Sequence, residues 1–201
     1  MSGESRIANV SAALLLGGAS TRMGRDKAQL LVAGEPAATR LAKLLAGLFE
    51  DVLLVGGEAP ASAPGRRVAD AEGPRCALRG VASALAAARE ERVLVLATDL
   101  MAMTPDVLLG LTAFPEADAV VPRAGGFSQP LCALYRRSAA LAAAQHGLMH
   151  ETLALKAMLD RLDVRWLEGD DLSALDPHGS ALANVNTPDE YARVAARELR
   201  P

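Results

Sequence analysis

The stretch Leu14-Leu15-Leu16-Gly17-Gly18-Ala19-Ser20-Thr21-Arg22-Met23-Gly24-Arg25-Asp26-Lys27 has the composition of an anion cradle. An apolar run stops at a glycine pair. A short polar loop follows, and three cations, Arg22, Arg25 and Lys27, close it. Glycine lets the backbone adopt positive φ and approach a ligand closely. Successive N–H groups in such a turn form a concavity for anions, and the cations neutralise the remaining charge. The pattern predicts a buried strand that runs into a loop wrapped around a polyphosphate. Two familiar phosphate loops fail on spacing. A Walker A loop ends in Gly-Lys-Ser/Thr, whereas Lys27 lies between Asp26 and Ala28. The dinucleotide pattern Gly-x-Gly-x-x-Gly separates its first two glycines, whereas Gly17 and Gly18 are adjacent. Arg22 and Lys27 are expected on phosphates, and Arg25 reads as a solvated or steering charge.

Two further constellations carry chemistry. Asp99 follows Arg92 to Ala97, the most aliphatic segment of the chain. A carboxylate at the end of a buried strand suits a divalent cation. Magnesium takes oxygen ligands and is held by one or two carboxylates together with phosphate oxygens. Thr104, directly before Pro105, is the better N-cap for the next helix, which leaves Asp99 for the metal. Asn184 and Asn186 lie two apart, so in an extended segment they face the same way. Their amides suit a metal, a phosphate or the backbone of a turn.

The glycine loop resembles the Leu-x-Gly-Gly-x-Ser-x-Arg-Met-Gly-x-Asp-Lys loop of the nucleotidyltransferases that use molybdopterin. The match is closest to the molybdenum cofactor guanylyltransferases. Leu16, Gly17, Gly18, Ser20, Arg22, Met23, Gly24, Asp26 and Lys27 fall on the pattern. Asn184-Val185-Asn186-Thr187-Pro188 is a second shared feature, so the resemblance spans nearly the whole chain. It implies transfer of GMP from GTP to the phosphate of molybdopterin, with release of pyrophosphate. It further implies Mg2+ on Asp99, with Arg22, Lys27 and Asp99 as the catalytic set. Leu15, Leu16, Gly17, Gly18, Ser20, Lys27, Asp70 and Asp99 are implied in nucleotide binding. Asp70 stands near the base or ribose, and Asn184 and Asn186 bind the acceptor substrate. The Gly17-Gly18 pair and Asp26 point to the guanylyl branch, since the related cytidylyltransferases usually begin Leu-Ala-Ala-Gly. Leu16 replaces a usual Ala. Gly56 stands where some relatives have an Asn on the nucleotide. Asp99 is followed by Leu100-Met101 without the Pro often found there. Arg75, Arg79, Arg123 and Gln129-Pro130 are candidates to frame the pterin, with Gly125-Gly126 either a flap or a hairpin turn. The competing readings are a molybdopterin cytidylyltransferase, a sugar- or polyol-phosphate nucleotidyltransferase, and a non-catalytic binding module.

These residues need a scaffold that brings strand ends together. Strands are expected at Val10 to Leu16, Asp51 to Val55, Val68 to Asp70, Arg92 to Ala97, Asp118 to Val121, Pro130 to Tyr135, Val164 to Leu167 and Leu182 to Val185. Helices are expected over Pro36 to Phe49, Leu78 to Glu91, from Pro105, Ser138 to Gln145 and Glu151 to Leu162. A terminal helix is capped by Thr187-Pro188-Asp189-Glu190. The alternation predicts a three-layer, Rossmann-like α/β fold with a mainly parallel sheet covered by helices on both faces. The resemblance makes it a fold of nucleotidyltransferase type. Ligands in such sheets bind beyond the carboxyl ends of the strands, where the glycine loop, Asp70 and Asp99 all fall.

At 201 residues, 51% hydrophobic and 3% aromatic, the chain suits one domain of helices on a sheet, with residues 1–8 a flexible tail. A net charge of −3 argues against a broad nucleic-acid surface. No apolar run approaches the roughly 20 residues of a membrane span, and no signal-peptide layout is present. The expectation is a cytoplasmic enzyme. Its product would pass to cofactor-accepting molybdoenzymes or their chaperones. Cys76 and Cys132 read as small hydrophobes rather than a disulfide. His146 and His150 share a helical spacing, weakened by Gly147 between them.

Overall fold

The computed structural model describes residues 6–16, 27–114 and 116–198, and gives the backbone alone at 27 and 196–198. In chain order the elements begin with β1 (Ile7–Leu15), a 3-10 turn (Lys27–Gln29), β2 (Leu31–Val32), β3 (Glu35–Pro36), α1 (Ala37–Leu48) and β4 (Phe49–Val55). Next come β5 (Arg66–Val68), α2 (Ala77–Ala87), β6 (Arg92–Ala97), α3 (Pro105–Leu111), β7 (Ala119–Ala124), β8 (Phe127–Ser128) and β9 (Cys132–Arg136). The chain closes with α4 (Arg137–Met149), α5 (Leu155–Leu159), β10 (Val164–Leu167), α6 (Gly169–Leu175) and α7 (Pro188–Glu198).

The main sheet runs β10-β7-β9-β6-β1-β4-β5, with β8 paired to β7. The pairs β1·β4, β1·β6, β4·β5 and β7·β10 are parallel. β9 lies antiparallel to both β6 and β7. Side chains alternate between two buried faces with the strand period of two. Ala12, Leu14 and Leu16 enter one core with Leu94 and Leu96, under residues of α1, α3 and α6. Ala13 and Leu15 enter the other with Val93 and Val95, under α2, α4 and α5. Burial on both faces explains why β1 and β6 are near-continuously aliphatic.

Several expected boundaries move. β1 starts at Ile7, which pairs with Phe49, so the expected tail over residues 1–8 overlaps the strand. The helix expected through Glu91 ends at Ala87, where Ala88 turns extended. Only Leu155–Leu159 of the segment Glu151 to Leu162 is helical. Gly147 does not interrupt α4. Its hydrogen occupies a gap where a Cβ would lie 2.9 Å from the Leu78 side chain and the Thr152 carbonyl. His146 and His150 therefore do share a face, with ring centroids 4.2 Å apart. Thr104 takes the N-cap position of α3, although its hydroxyl makes no capping bond.

Residues 182–185 form no strand. A buried Asp176 carboxylate instead accepts the N–H groups of Ser180 (3.0 Å), Ala181 (3.1 Å) and Leu182 (3.3 Å). This turn delivers the chain to the sheet as an irregular segment. A ladder-like bond runs from the Val185 N–H to the Asp99 carbonyl, at 2.8 Å. The two asparagines are poor strand formers.

Candidate active site

The parallel strands β1, β4, β5 and β6 end side by side, and Leu16, Asp70 and Asp99 follow the ends of β1, β5 and β6. The Leu16 N–H donates to the Val55 carbonyl (2.9 Å), and the Thr98 N–H to the Leu15 carbonyl (3.3 Å). The Gly56 N–H donates to the Val68 carbonyl (2.9 Å). Leu15 and Leu16 are thus held between the ends of β4 and β6. Since the Leu16 N–H is committed to the ladder, it is not the group that addresses a ligand. Gly57, at φ 47°, packs against Leu16, and a Cβ there would stand 3.1 Å from the Leu16 carbonyl oxygen. A side chain at 57 would push on the root of the loop.

Asp99 is half-buried beyond β6. The Val185 bond to its carbonyl brings Asn184 and Asn186 beside it. Val185 is buried, while Asn184 is half-buried and Asn186 exposed. Asp99 offers a carboxylate and the neighbouring segment two amides, oxygen donors of the kind a magnesium ion takes together with water and phosphate oxygens.

A single apolar cluster ties these segments together. Leu30 and Val32 follow Lys27, Met101 follows Asp99, and Val185 separates the asparagines. All four are buried with Ala37 and Val194. Arg40 of α1 donates to the Met101 carbonyl at 2.8 Å. α7 closes this corner through a capping box. The Glu190 carboxylate accepts the N–H groups of Asn186 (2.7 Å) and Thr187 (2.9 Å), and the Glu190 N–H donates to the Thr187 hydroxyl (3.2 Å). Those two backbone bonds hold the Glu190 carboxyl below its ordinary value, outweighing the opposing effect of desolvation.

Asp70 lies two residues past β5, with its carboxylate against Gly56 and in an ion pair with Arg79 at 2.9 Å. Arg79, expected near a pterin, is thus bound to Asp70, with 15% of its side chain exposed. Arg123 stacks on Trp166 at 3.9 Å from the ring centre and pairs with Glu168 at 3.2 Å. Arg75 is exposed. Gly125 and Gly126 form the tight turn between β7 and β8, both at positive φ. Gly17, Gly18, Ser20 and Arg22 lie outside the described residues, as does the side chain of Lys27.

Sequence reasoning missed three supports of this corner. Thr187-x-x-Glu190 was readable as a capping box, but its second role, holding the backbone of Asn186, was not. Asp176 holds the turn that directly follows it, a local pattern within Asp176-Pro177-His178-Gly179-Ser180, and Arg79 was singled out only for the pterin, its pairing with Asp70 being set by the fold.

A mainly parallel sheet, with Asp99 beyond β6 and an asparagine segment hydrogen-bonded to it, is the scaffold of a nucleotidyltransferase domain. The chain belongs to the MobA-like NTP transferase family, whose domain matches residues 12–168. It is 35% identical over 198 residues to a probable molybdenum cofactor guanylyltransferase of Chloroflexus aggregans, covering 93% of this chain and 94% of that protein. It is 32% identical to the same-named protein of Pelotomaculum thermopropionicum, covering 93% of each. Its fold matches molybdopterin-guanine dinucleotide biosynthesis protein A from Archaeoglobus fulgidus with a TM-score of 0.80 at 21% identity, over 93% of this chain and 97% of that one. It matches 2-C-methyl-D-erythritol 4-phosphate cytidylyltransferase from Thermus thermophilus with a TM-score of 0.71 at 17% identity, over 94% and 98%. No helix among the described residues is long and apolar enough to cross a membrane.

Proposed function

We propose that this chain transfers GMP from GTP to the terminal phosphate of molybdopterin, yielding molybdopterin guanine dinucleotide and pyrophosphate, in the cytoplasm. The observation that carries the reading is the 2.8 Å bond joining Asp99 to the segment Asn184-Val185-Asn186. It joins the backbone of the asparagine segment to Asp99, just beyond β6. Curated relatives at 35% and 32% identity bear the guanylyltransferase name.

The acceptor phosphate oxygen attacks the α-phosphorus of GTP, and pyrophosphate leaves from the opposite side. The nucleophile is already anionic, so no strong protein base is needed. Catalysis consists of alignment and charge neutralisation. Gly17, Gly18 and Ser20 cradle the triphosphate, and Arg22 and Lys27 offset its charge. Leu15 and Leu16 anchor the loop at the base, and Asp70 accepts a hydrogen bond from the nucleoside. Asn184 and Asn186 orient the acceptor. Asp99 would hold Mg2+, which when bound stabilises charge on the phosphate oxygens. Recipients of the product are molybdoenzymes or their chaperones. The test is turnover of GTP against CTP with molybdopterin as acceptor. Removal of divalent metal with a chelator should abolish turnover, and added Mg2+ should restore it.

A further inference from the structure

Arg79 belongs to none of the motifs above, yet its side chain is closely held. Its Nη2 donates to Asp70 Oδ2 at 2.9 Å, and its Nη1 donates to the Gly73 carbonyl at 2.8 Å. The same helix grips the loop again through Ser83. That hydroxyl donates to the Arg79 carbonyl and accepts the Ala71 N–H, both at 2.9 Å. From the opposite side, Gly56 admits the carboxylate. A Cβ there would lie 3.0 Å from Asp70 Oδ2 and 3.1 Å from Oδ1. The carboxylate is therefore clamped between a guanidinium and bare backbone at the ends of β4 and β5.

We propose that Arg79 is a positioning residue for nucleotide selection, which fixes the Asp70 carboxylate as acceptor for an N–H or O–H donor of the nucleoside. Gly56 supplies the space this requires. The inference rests on the reading of Asp70 as a nucleotide contact. Two physical effects support it. A pre-set carboxylate loses no rotamer freedom when the nucleotide arrives. The guanidinium also offsets a negative charge that would otherwise repel a triphosphate. A planar fork reaches the Asp70 oxygen and the Gly73 carbonyl together, which a single lysine ammonium does less well.

Steady-state kinetics with GTP, together with melting temperatures, test this on wild type, Arg79→Met, Arg79→Lys, Asp70→Asn and the double variant. Arg79→Met should raise the KM for GTP about tenfold while kcat changes by less than about threefold. Arg79→Lys should recover part of the loss. The double variant should be no worse than Asp70→Asn alone, because both substitutions remove one contact. A wild-type KM in Arg79→Met beside a raised KM in Asp70→Asn overturns the role of Arg79 and leaves Asp70 as the contact. A wild-type KM in Asp70→Asn overturns the Asp70 reading and the inference with it. If Arg79→Met does not fold, Gly56→Ala presses a methyl group onto the same carboxylate. The KM for GTP should then rise, and an unchanged value in the folded variant overturns the proposal.

Discussion

Asp99 brings two groups to one place. Its carbonyl fastens the asparagine segment, and its carboxylate is the proposed metal ligand. These functions separate by mutation. Asp99→Ala keeps the carbonyl and loses the carboxylate, so turnover should fall by about 10³-fold or more while the melting temperature stays near that of wild type. A variant with wild-type turnover would remove Asp99 from the mechanism. The cysteines give a second residue-scale test. Burial pushes the Cys132 thiol up to about 12, whereas Cys76 is half-buried, and neither is in a disulfide. A thiol reagent at neutral pH should therefore modify Cys76 in the native protein and reach Cys132 only after unfolding. Much at this scale was legible. Asp99 announces itself by following an aliphatic strand, and the asparagines by their spacing about an inward-facing Val185. Arg79 was singled out only as a frame for the pterin, and its pairing with Asp70 was not legible, because the approach of α2 to the end of β5 is set by the fold.

At the scale of elements, the capping box of α7 reaches beyond its own helix. Glu190 holds the backbone of Asn186 and Thr187, so Glu190→Ala should loosen the asparagine segment as well as the helix end. The expected result is a lower kcat with GTP, together with faster amide exchange at Asn186 and Thr187. Unchanged exchange there would show that the apolar cluster alone holds the segment. Two strands have the bounds that their patterns indicate: Arg92–Ala97, aliphatic because both of its faces are buried, and the edge strand Val164–Leu167, whose exposed Arg165 gives it an alternating pattern. The segment Leu182 to Val185 misled, since an apolar run suggests a strand, although Asp176-Pro177-His178-Gly179-Ser180 just before it has the composition of a turn. The sheet ends at β10 and β5, and this segment pairs with neither edge. Its hydrogen bonds go to Asp176 and Asp99 instead.

At the scale of the molecule, polar residues pin the sheet at the end opposite the site. The buried Ser11 hydroxyl donates to Asp51 at 2.7 Å, and the Arg66 guanidinium and the Arg89 N–H also donate to that carboxylate, each at 3.3 Å. Desolvation works to raise the Asp51 pKa, but these bonds and the Arg66 charge outweigh it and hold the value below the ordinary 3.8. A depressed folded value means stability that is complete above the unfolded value and is lost as pH falls through the folded one. The melting temperature of the wild type should therefore drop more steeply than that of Asp51→Asn from about pH 5 down to pH 2. Parallel slopes would contradict the pairing. Asp51→Ala should cost about 1–3 kcal/mol by orphaning its buried donors. Leu14→Ala, at a fully buried position on β1, should cost about 2–5 kcal/mol.

The proposed reaction joins GMP to molybdopterin at the carboxyl ends of the parallel strands. Its most direct test is product formation by the purified chain with Mg2+, molybdenum-loaded molybdopterin, and GTP or CTP in parallel. The account predicts dinucleotide and pyrophosphate with GTP and little or none with CTP. Turnover with CTP in place of GTP, or with neither nucleotide, would contradict it.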